Sequence, residues 1–155
     1  HGLRLPTEAQ WEYACRAGTN SPFWCGPRVE DLGPVANLLD RTAAASVSTW
    51  GQPGPFDDGA VLHWPVGSGR ANAFGLHDVH GNVFEWCRER YTGYEFPTDQ
   101  HSGERSGVPT SQDRVCRGGA FANQASIARA AMRMRSPEGS LLPTHGLRLV
   151  RELPR

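Results

Sequence analysis

The stretch from Gly81 to Cys87 places the tightest limits on how this chain can fold. Phe84 and Trp86 alternate with smaller or polar residues, and this period of two is typical of a β-strand. Glu85 lies between the two aromatic residues, and burying an unpaired carboxylate costs free energy. We therefore expect Glu85 to be matched by a cation, a metal ion or several hydrogen-bond donors.

The composition favours many turns over long helices. The 155 residues include 18 glycines and 12 prolines, and hydrophobic residues make up only 38%, which is low for a globular chain. The formal net charge is zero, so no field attracts nucleic acid or an anionic membrane. No apolar run approaches the roughly 20 residues of a membrane span. We expect one domain with neither nucleic acid nor membrane as a partner.

A helix is predicted over residues 8–17. Thr7 and Gln10 form a capping-box pattern at its start, and Gly18 is placed to close it. Apolar positions three and four residues apart form one helical stripe, which consists of Trp11, Ala14 and Cys15.

The charged side chains of two segments allow more than one interpretation. Glu12 and Arg16 have the spacing of an exposed helical pair, which is the interpretation that we favour. Arg129, Arg133 and Arg135 would share a face, and such a basic patch could hold a phosphate. Arginines in a loop-rich fold more often satisfy buried carbonyls and carboxylates, and we favour that role.

Neither the cysteines nor the histidines have a recognisable metal-binding spacing. Four cysteines allow three pairings, and we favour buried thiols over disulfides or a metal site; they are Cys15, Cys25, Cys87 and Cys116. His77 and His80 form an HxxH pair without a third ligand. We expect surface or capping roles for the histidines, which include His63, His101 and His145.

Four segments carry a family resemblance in their order and spacing. They are RLPTEAQWEYACRAG (4–18), GLHDVHGNVFEW (75–86), RGGAF (117–121) and GLRLV (146–150). Together they resemble the formylglycine-generating enzyme, or sulfatase-modifying factor, family. The resemblance implies an α+β, C-type-lectin-like fold for residues 1–155, rich in loops, with short strands and few helices. Family members usually carry a further strand and helix before the first segment, so we expect a fragment of a longer, multidomain bacterial protein.

The resemblance also implies two calcium sites, because calcium takes six to eight oxygen ligands, including backbone carbonyls. At the first site, Asn37 and Asp58 would contribute side chains, while Leu38 and Ala60 would contribute carbonyls. The alternative for Asp58 is an ordinary turn residue.

At the second site, Asn82 and Glu85 are the side-chain candidates, with carbonyls from Gly81 and Val83. The alternative is that Glu85 is buried and paired with an arginine.

Copper is not expected, because the sequence departs from the family in the segment that would hold it. Catalytic members carry a cysteine pair between the RGG and final GFR motifs, where soft thiolates bind copper(I). Residues 117–150 contain no cysteine, and Cys116 precedes the glycines. Cys87 and Cys116 remain a conceivable replacement pair if they meet in space.

We therefore predict a non-catalytic ligand-binding or sensor domain that recognises a protein or small ligand through its C-terminal variable segment. The candidate contact residues are Phe121, Asn123, Ser126, Met132, Met134, Leu141 and His145. Neighbouring domains of the parent protein are further expected partners. The alternatives are a sulfatase-modifying oxidase that converts a substrate cysteine to formylglycine, a retroelement-diversified receptor, and a structural domain without a ligand. The compartment is not determined by the sequence.

Overall fold

The computed structural model describes residues 2–105 and 112–151. Short elements joined by long loops confirm the predicted α+β, loop-rich architecture. The helices of this part are α1 (Glu8–Arg16) and α2 (Arg41–Ser46), with 3₁₀ turns at Val29–Leu32, Ser48–Trp50 and Ala125–Ala128. The strands are β1 (Leu3–Arg4), β2 (Ala36–Asn37), β3 (His80–Gly81), β4 (Phe84–Arg90), β5 (Asp113–Arg117), β6 (Met134–Pro137), β7 (His145–Gly146) and β8 (Val150–Arg151). Among the described residues, no helix has both the length and the apolar character needed to cross a bilayer.

The central sheet has four strands in the order β6-β5-β4-β7. Strand β4 runs antiparallel to β5 and parallel to β7, and β5 runs antiparallel to β6. Two smaller pairs flank this sheet: β1 with β8, which are antiparallel, and β2 with β3, which are parallel. The β2–β3 pair matters for the site because it joins Asn37 to Gly81.

Helix α1 begins as its sequence predicts. The Thr7 side chain accepts a hydrogen bond from the Gln10 amide, and the Gln10 side chain accepts one from the Thr7 amide. The helix ends at Ala17, which takes the left-handed conformation one residue before the predicted Gly18. Trp11 and Cys15 are buried, so this helix packs through the predicted stripe.

The two faces of the central sheet have different neighbours. Cys87 and Val115 pack with Trp11 of α1 on one face. Phe84 and Cys116 pack on the other face, where Ala120 completes the small cluster. Because side chains alternate along a strand, adjacent positions of β4 and β5 contribute to different clusters.

Several sequence predictions need correction. The predicted surface or capping role for His80 is wrong: its ring is fully buried, Nδ1 lies 2.8 Å from the Ala128 carbonyl oxygen, and Nε2 accepts from the Trp24 amide. The apolar alternation of the last motif, GLRLV (146–150), predicts one strand, but the structure has two short strands there, β7 and β8. Helix α2 was not predicted; Asp40 starts it by accepting the Ala43 amide at 2.8 Å.

The sequence of residues 19–36 and 92–113 predicts loops, and these segments also contain some regular structure. The segment 19–36 includes a 3₁₀ turn and the first residue of β2, while Phe23 is buried against the core. The predicted polar excursion over 92–113 ends where β5 starts, and its residues 106–111 lie outside the described part.

Candidate functional site

At the first predicted calcium site, the side chains of Asn37 and Asp58 both hydrogen-bond to backbone groups. Asn37 is buried at the end of β2, and its Nδ2 donates to the Leu62 carbonyl at 2.7 Å. Its Oδ1 is also buried and has no hydrogen-bond partner. Asp58 accepts from the Leu38 amide at 3.0 Å and from the Ala60 amide at 2.9 Å. All four predicted residues therefore lie together.

Burial raises the pKa of Asp58 to about 6, and the nearby carboxylates of Asp40 and Asp57 act in the same direction. Hydrogen bonds from the Ala60 and Leu38 amides oppose this effect only in part. Within the described ranges, no arginine or histidine lies within ion-pair distance of Asp58. The Asp58 carboxylate has no cationic partner in these ranges, and Asn37 Oδ1 has no hydrogen-bond partner in them; both are oxygen ligands of the kind that a hard cation such as calcium prefers.

The second predicted site is arranged differently. Glu85 is 5% exposed, and its carboxylate takes both ends of the Arg148 guanidinium, at 2.9 Å from Nε and 2.6 Å from Nη2. Trp11 Nε1 also donates to Glu85 at 2.7 Å. The alternative of a buried glutamate paired with an arginine therefore describes Glu85 in this structure.

Asn82 does not turn its amide toward Glu85. Its Oδ1 accepts from the Trp64 amide at 3.1 Å, and its Nδ2 lies 3.4 Å from the Trp64 carbonyl. Asn82 also has a positive φ of 61°, and its backbone amide donates to the Asn37 carbonyl at 2.7 Å. The predicted ligand set at Asn82, Gly81, Val83 and Glu85 thus has its two side chains already engaged, and it does not fit calcium as arranged.

Gly81 connects the two predicted sites, because it pairs with Asn37 and precedes Asn82. Its φ is +80°, and a Cβ atom there would lie 2.0 Å from the Asn37 carbonyl oxygen. Only glycine permits this close approach of β2 and β3. The Asn37 and Asn82 amides then hold the backbone of Leu62 and Trp64 against the sheet.

The four cysteines are free thiols, as favoured from the sequence, and Cys15, Cys87 and Cys116 are buried. Burial raises the pKa of Cys15 and of Cys116 to about 12 each, and it also raises that of Cys87. Cys116 is opposite Trp86 in the ladder, whereas Cys87, the next residue along β4, points to the other face. Cys87 and Cys116 therefore do not form a pair that faces one ion.

The seven predicted ligand-binding residues do not form one surface. Phe121 is 4% exposed and contacts His63 and Trp50, with ring centroids at 4.5 Å and 5.6 Å. Asn123 supports a turn by accepting the Ala120 amide at 3.0 Å.

Met134 and His145 share a different region, on the face of the central sheet that carries Phe84. Met134 packs against the cluster of Phe84 and Cys116. The His145 ring lies 5.0 Å from that of Trp86, and burial lowers the pKa of His145. We call Trp86, Met134 and His145 the aromatic face; all three are half-buried.

The remaining predicted contact residues lie apart from this group. Leu141 is 97% exposed in the loop before His145, Ser126 is exposed in the 3₁₀ turn, and Met132 lines a cleft with Arg16.

The arginines of the segment 129–135 mostly have the structural role that we favoured. Arg133 pairs with Glu8 and lies over the ring of Tyr94. Arg135 lies 3.7 Å from an oxygen of Asp113. The Glu12–Arg16 pair forms at 2.8 Å, but it is half-buried rather than exposed, because Glu12 also binds the buried Arg117.

Sequence reasoning missed three participants in these sites. Arg148 is separated from Glu85 by 63 positions, and Trp64 offers only backbone atoms to Asn82. Asp40 accepts the Asp58 amide at 2.6 Å. Of these three residues, only Arg148 lies in one of the four family motifs, and its distance from Glu85 along the sequence does not predict that the two side chains pair.

Comparison with known proteins identifies the family. The family model described as the sulfatase-modifying factor enzyme 1-like domain matches residues 1–153. A serine/threonine-protein kinase pkn1 from Chlamydia caviae is 34% identical over 149 residues, which is 95% of this chain and 21% of the kinase. A formylglycine-generating enzyme from Mycobacterium tuberculosis is 39% identical over 94 residues, which is 58% of this chain and 28% of the enzyme.

Solved structures agree with this assignment. Treponema denticola variable protein 1 superposes with a TM-score of 0.71 at 27% identity, over 95% of this chain and 46% of that protein. PvdO from Pseudomonas aeruginosa superposes with a TM-score of 0.75 at 27% identity, over 97% of this chain and 53% of PvdO. The fold is of the predicted C-type-lectin-like, formylglycine-generating-enzyme type, and this chain spans about a fifth to half of these relatives. The chain belongs to the sulfatase-modifying factor, or formylglycine-generating enzyme, domain family.

Proposed function

We propose that this chain is a non-catalytic binding or sensor domain that recognises a protein or small ligand through its C-terminal segment. The observation that carries the proposal is the separation of the thiols on β4 and β5. A copper(I) site of two thiolates needs both sulfurs on one side of the ion. Cys87 and Cys116 lie in different clusters on opposite faces of the sheet, and residues 117–150 contain no cysteine.

Ligand recognition is assigned to the aromatic face defined by Trp86, Met134 and His145. Half-exposed aromatic and methionine side chains make adaptable, partly apolar contacts. Trp86 lies on β4, Met134 on β6 and His145 on β7, and all three strands belong to the central sheet, so one sheet supports the whole face. Leu142, which is 50% exposed, lies in the adjoining loop and would extend the contact surface.

The relatives supply a context for this role. One of them carries its matching region within a protein named as a serine/threonine kinase, and one structural neighbour is named as a variable protein. A matching region within a protein named as a kinase, and a neighbour named as a variable protein, both suit a recognition role for this chain better than cysteine oxidation. A retroelement-diversified receptor is a narrower form of the same proposal, and neighbouring domains of the parent protein remain proposed partners.

Calcium is proposed as a structural ion at the Asn37/Asp58 site. Asn37 Oδ1 and the Asp58 carboxylate would hold it, together with carbonyls of Leu38 and Ala60. The ion would supply positive charge to a half-buried carboxylate that has no cationic neighbour among the described side chains. The second site, at Glu85, has its charge requirement met by Arg148.

A copper assay separates the binding module from the second candidate, a sulfatase-modifying oxidase. We expect no stoichiometric, tight copper(I) uptake in competition with a chelating dye, and no aldehyde on a cysteine-containing test peptide under dioxygen. A Cys87→Ser/Cys116→Ser variant is the control for thiol-dependent uptake. Aldehyde formation that this double variant abolishes would overturn the proposal in favour of the oxidase.

A binding assay tests the aromatic face itself. Peptides selected on the folded domain from a displayed library should lose binding when Met134→Glu or His145→Glu places a charge on the face. Val66→Asp is the matched control, because Val66 is 92% exposed on a different part of the surface. Equal loss with all three variants, or selection of no peptide, would favour a structural domain without a ligand.

A further inference from the structure

A cleft at the carboxyl end of α1 has a chemistry that the aromatic face does not share. It encloses about 320 Å³ and is lined by Arg16, Asn20, Ser21, Pro22, Arg129 and Met132. We call it the Arg129 cleft. Two guanidinium groups line it, and no carboxylate is among its lining residues. Its rim also carries an amide, a hydroxyl and the apolar side chains of Pro22 and Met132.

Arg129 is the unpaired cation of this cleft. Its side chain is exposed, and its Nε donates to the Ser126 carbonyl at 2.9 Å. That neutral acceptor is its only hydrogen-bond partner within the described residues, where no carboxylate lies within ion-pair distance. Arg133 and Arg135, from the same segment, both have carboxylate partners. The terminal nitrogens of Arg129 thus remain available to an acceptor from outside.

Arg16, which also lines the cleft, is held in place by its own contacts. Its Nη2 pairs with Glu12 at 2.8 Å, and its Nη1 donates to the Ser21 carbonyl at 3.1 Å. These contacts fix the guanidinium, so little side-chain entropy is lost when it binds a further acceptor. The carbonyls at the end of α1 are partly satisfied by the amides of Ala17 and Thr19, which limits their repulsion of an anion.

Behind Arg16, arginines and glutamates alternate in a chain of ion pairs, and Arg16 is at one end of that chain. Glu12 pairs with both Arg16 and the buried Arg117, and Glu8 pairs with Arg117 and Arg133. Three arginines therefore share two glutamates. Glu89 accepts the Glu8 amide at the other end of α1, roughly 12 Å from Arg16 at about 1.5 Å per helical residue. Arg16 thus brings a guanidinium to the Arg129 cleft at the end of the chain that is remote from Glu89.

We propose that the Arg129 cleft binds an oxyanion, a carboxylate or phosphate, carried by a ligand with an adjacent apolar group. Arg16 and Arg129 bind the anion from two sides, Asn20 donates a further hydrogen bond, and Met132 packs against the apolar group. Planar guanidinium groups match the paired oxygens of both anions. The inference rests on the proposed binding function and names a ligand class for the same C-terminal segment.

Titration calorimetry with two probes tests the site. The first is inorganic phosphate, and the second is the capped tetrapeptide Leu-Asp-Asp-Leu, with Leu-Asn-Asn-Leu as its neutral control. Arg129→Gln should weaken binding of the responding probe about tenfold or more, the usual effect of losing a charged hydrogen bond. Arg41→Gln is the matched control, since Arg41 is also exposed and also donates to a carbonyl, that of Pro55. Thermal unfolding confirms that both variants remain folded.

Each outcome decides the proposal. Preference for the acidic over the neutral tetrapeptide, with a weakening by Met132→Ala, supports a peptide carboxylate as the source. Tight phosphate binding with no peptide response supports a phosphate group. Binding of neither probe, or equal binding by wild type and Arg129→Gln, overturns the proposal. Such a failure leaves the proposed binding function standing, because that function is tested separately at Met134 and His145.

Discussion

The two predicted calcium sites are joined by the paired strands β2 and β3, but they differ in the groups that neutralise the charge of their acidic residue. Asp58 accepts hydrogen bonds from backbone amides, and burial raises its pKa to about 6. Asn37 Oδ1, from the same predicted ligand set, has no hydrogen-bond partner among the described residues. Glu85 is more deeply buried and forms a bidentate pair with Arg148. A buried carboxylate in a motif therefore predicts a positively charged partner, but it does not predict whether that partner is an arginine or a metal ion. At Glu85 the chain supplies its own cation, whereas none of the described side chains does so at Asp58.

The largest expected effect comes from removing the cation at Glu85. Arg148→Met should lower the free energy of unfolding by about 3–5 kcal/mol, because it leaves a buried carboxylate unpaired. Urea denaturation measures the change, and Arg151→Met, at an exposed position, serves as the control. The double variant Glu85→Gln/Arg148→Met should recover part of the loss. Calcium that restores Arg148→Met while leaving wild type unchanged would show that the guanidinium and the metal compete for one place.

The next largest effect is expected from protonation of His80. Asp58 titrates in the same pH range, so the two contributions to stability must be measured separately. Burial lowers the pKa of His80 from 6.5 to about 4. The unfolded chain therefore binds the proton more tightly, and stability should fall by up to about 3 kcal/mol as the pH drops from 6.5 to 4. Unfolding free energies measured across this window should show the slope in wild type and lose it in His80→Gln. An unchanged slope in that variant would contradict the assignment.

Calcium should stabilise the domain through the Asp58 site by a similar amount. At a calcium concentration of 100 times Kd, the free energy of unfolding should rise by about 2.7 kcal/mol, since the ion binds only the folded form. Asp58→Asn should abolish this gain, and Asp57→Asn, at the exposed neighbouring carboxylate, should keep most of it. A melting temperature that is the same in calcium and in excess chelator would contradict the proposed calcium ion at Asn37 and Asp58.

The smallest expected effect is a pH dependence of that calcium affinity. The folded-state pKa of Asp58 is raised above its unfolded value of 3.8, so the stability from its protonation is present at low pH and is lost as the pH rises through about 6. Calcium must displace this proton, and Kd should therefore be about tenfold weaker at pH 5 than at pH 7.5. Calorimetry at the two pH values gives the ratio, and a constant Kd would place calcium elsewhere.

The elements that the sequence predicted well are those whose cause lies within a few residues. The capping box of Thr7 and Gln10 and the alternation around Phe84 and Trp86 appear in the structure as predicted. Helix α2 was missed because its short RTAAAS segment has no apolar stripe, and its start depends on Asp40 as a cap. His80 was misjudged because a polar residue type usually indicates the surface, whereas here two backbone groups satisfy both ring nitrogens.

The candidate sites were predicted only in part, for a related reason. The sequence predicts Asn37 and Asp58 as ligands of one calcium site and Asn82 and Glu85 as ligands of another, and strands β2 and β3, which carry Asn37 and Gly81, join the two. The partners of those side chains come from remote segments, such as Leu62, Trp64 and Arg148. The sequence predicts one ligand-binding surface in the C-terminal segment. In the structure, the residues of that segment divide between the core, the aromatic face and the Arg129 cleft.

By itself, the sequence determined the family, the helix that opens the domain, the central strand and the lack of cysteine over 117–150. These follow from residue identity and short-range spacing. Only the folded chain shows that Arg148 is the cation for Glu85, that Cys87 and Cys116 face apart, and that Arg129 has no carboxylate partner among residues 2–105 and 112–151. The physical reason is that charge compensation and strand register depend on groups brought together by chain folding, and no local pattern encodes their distance.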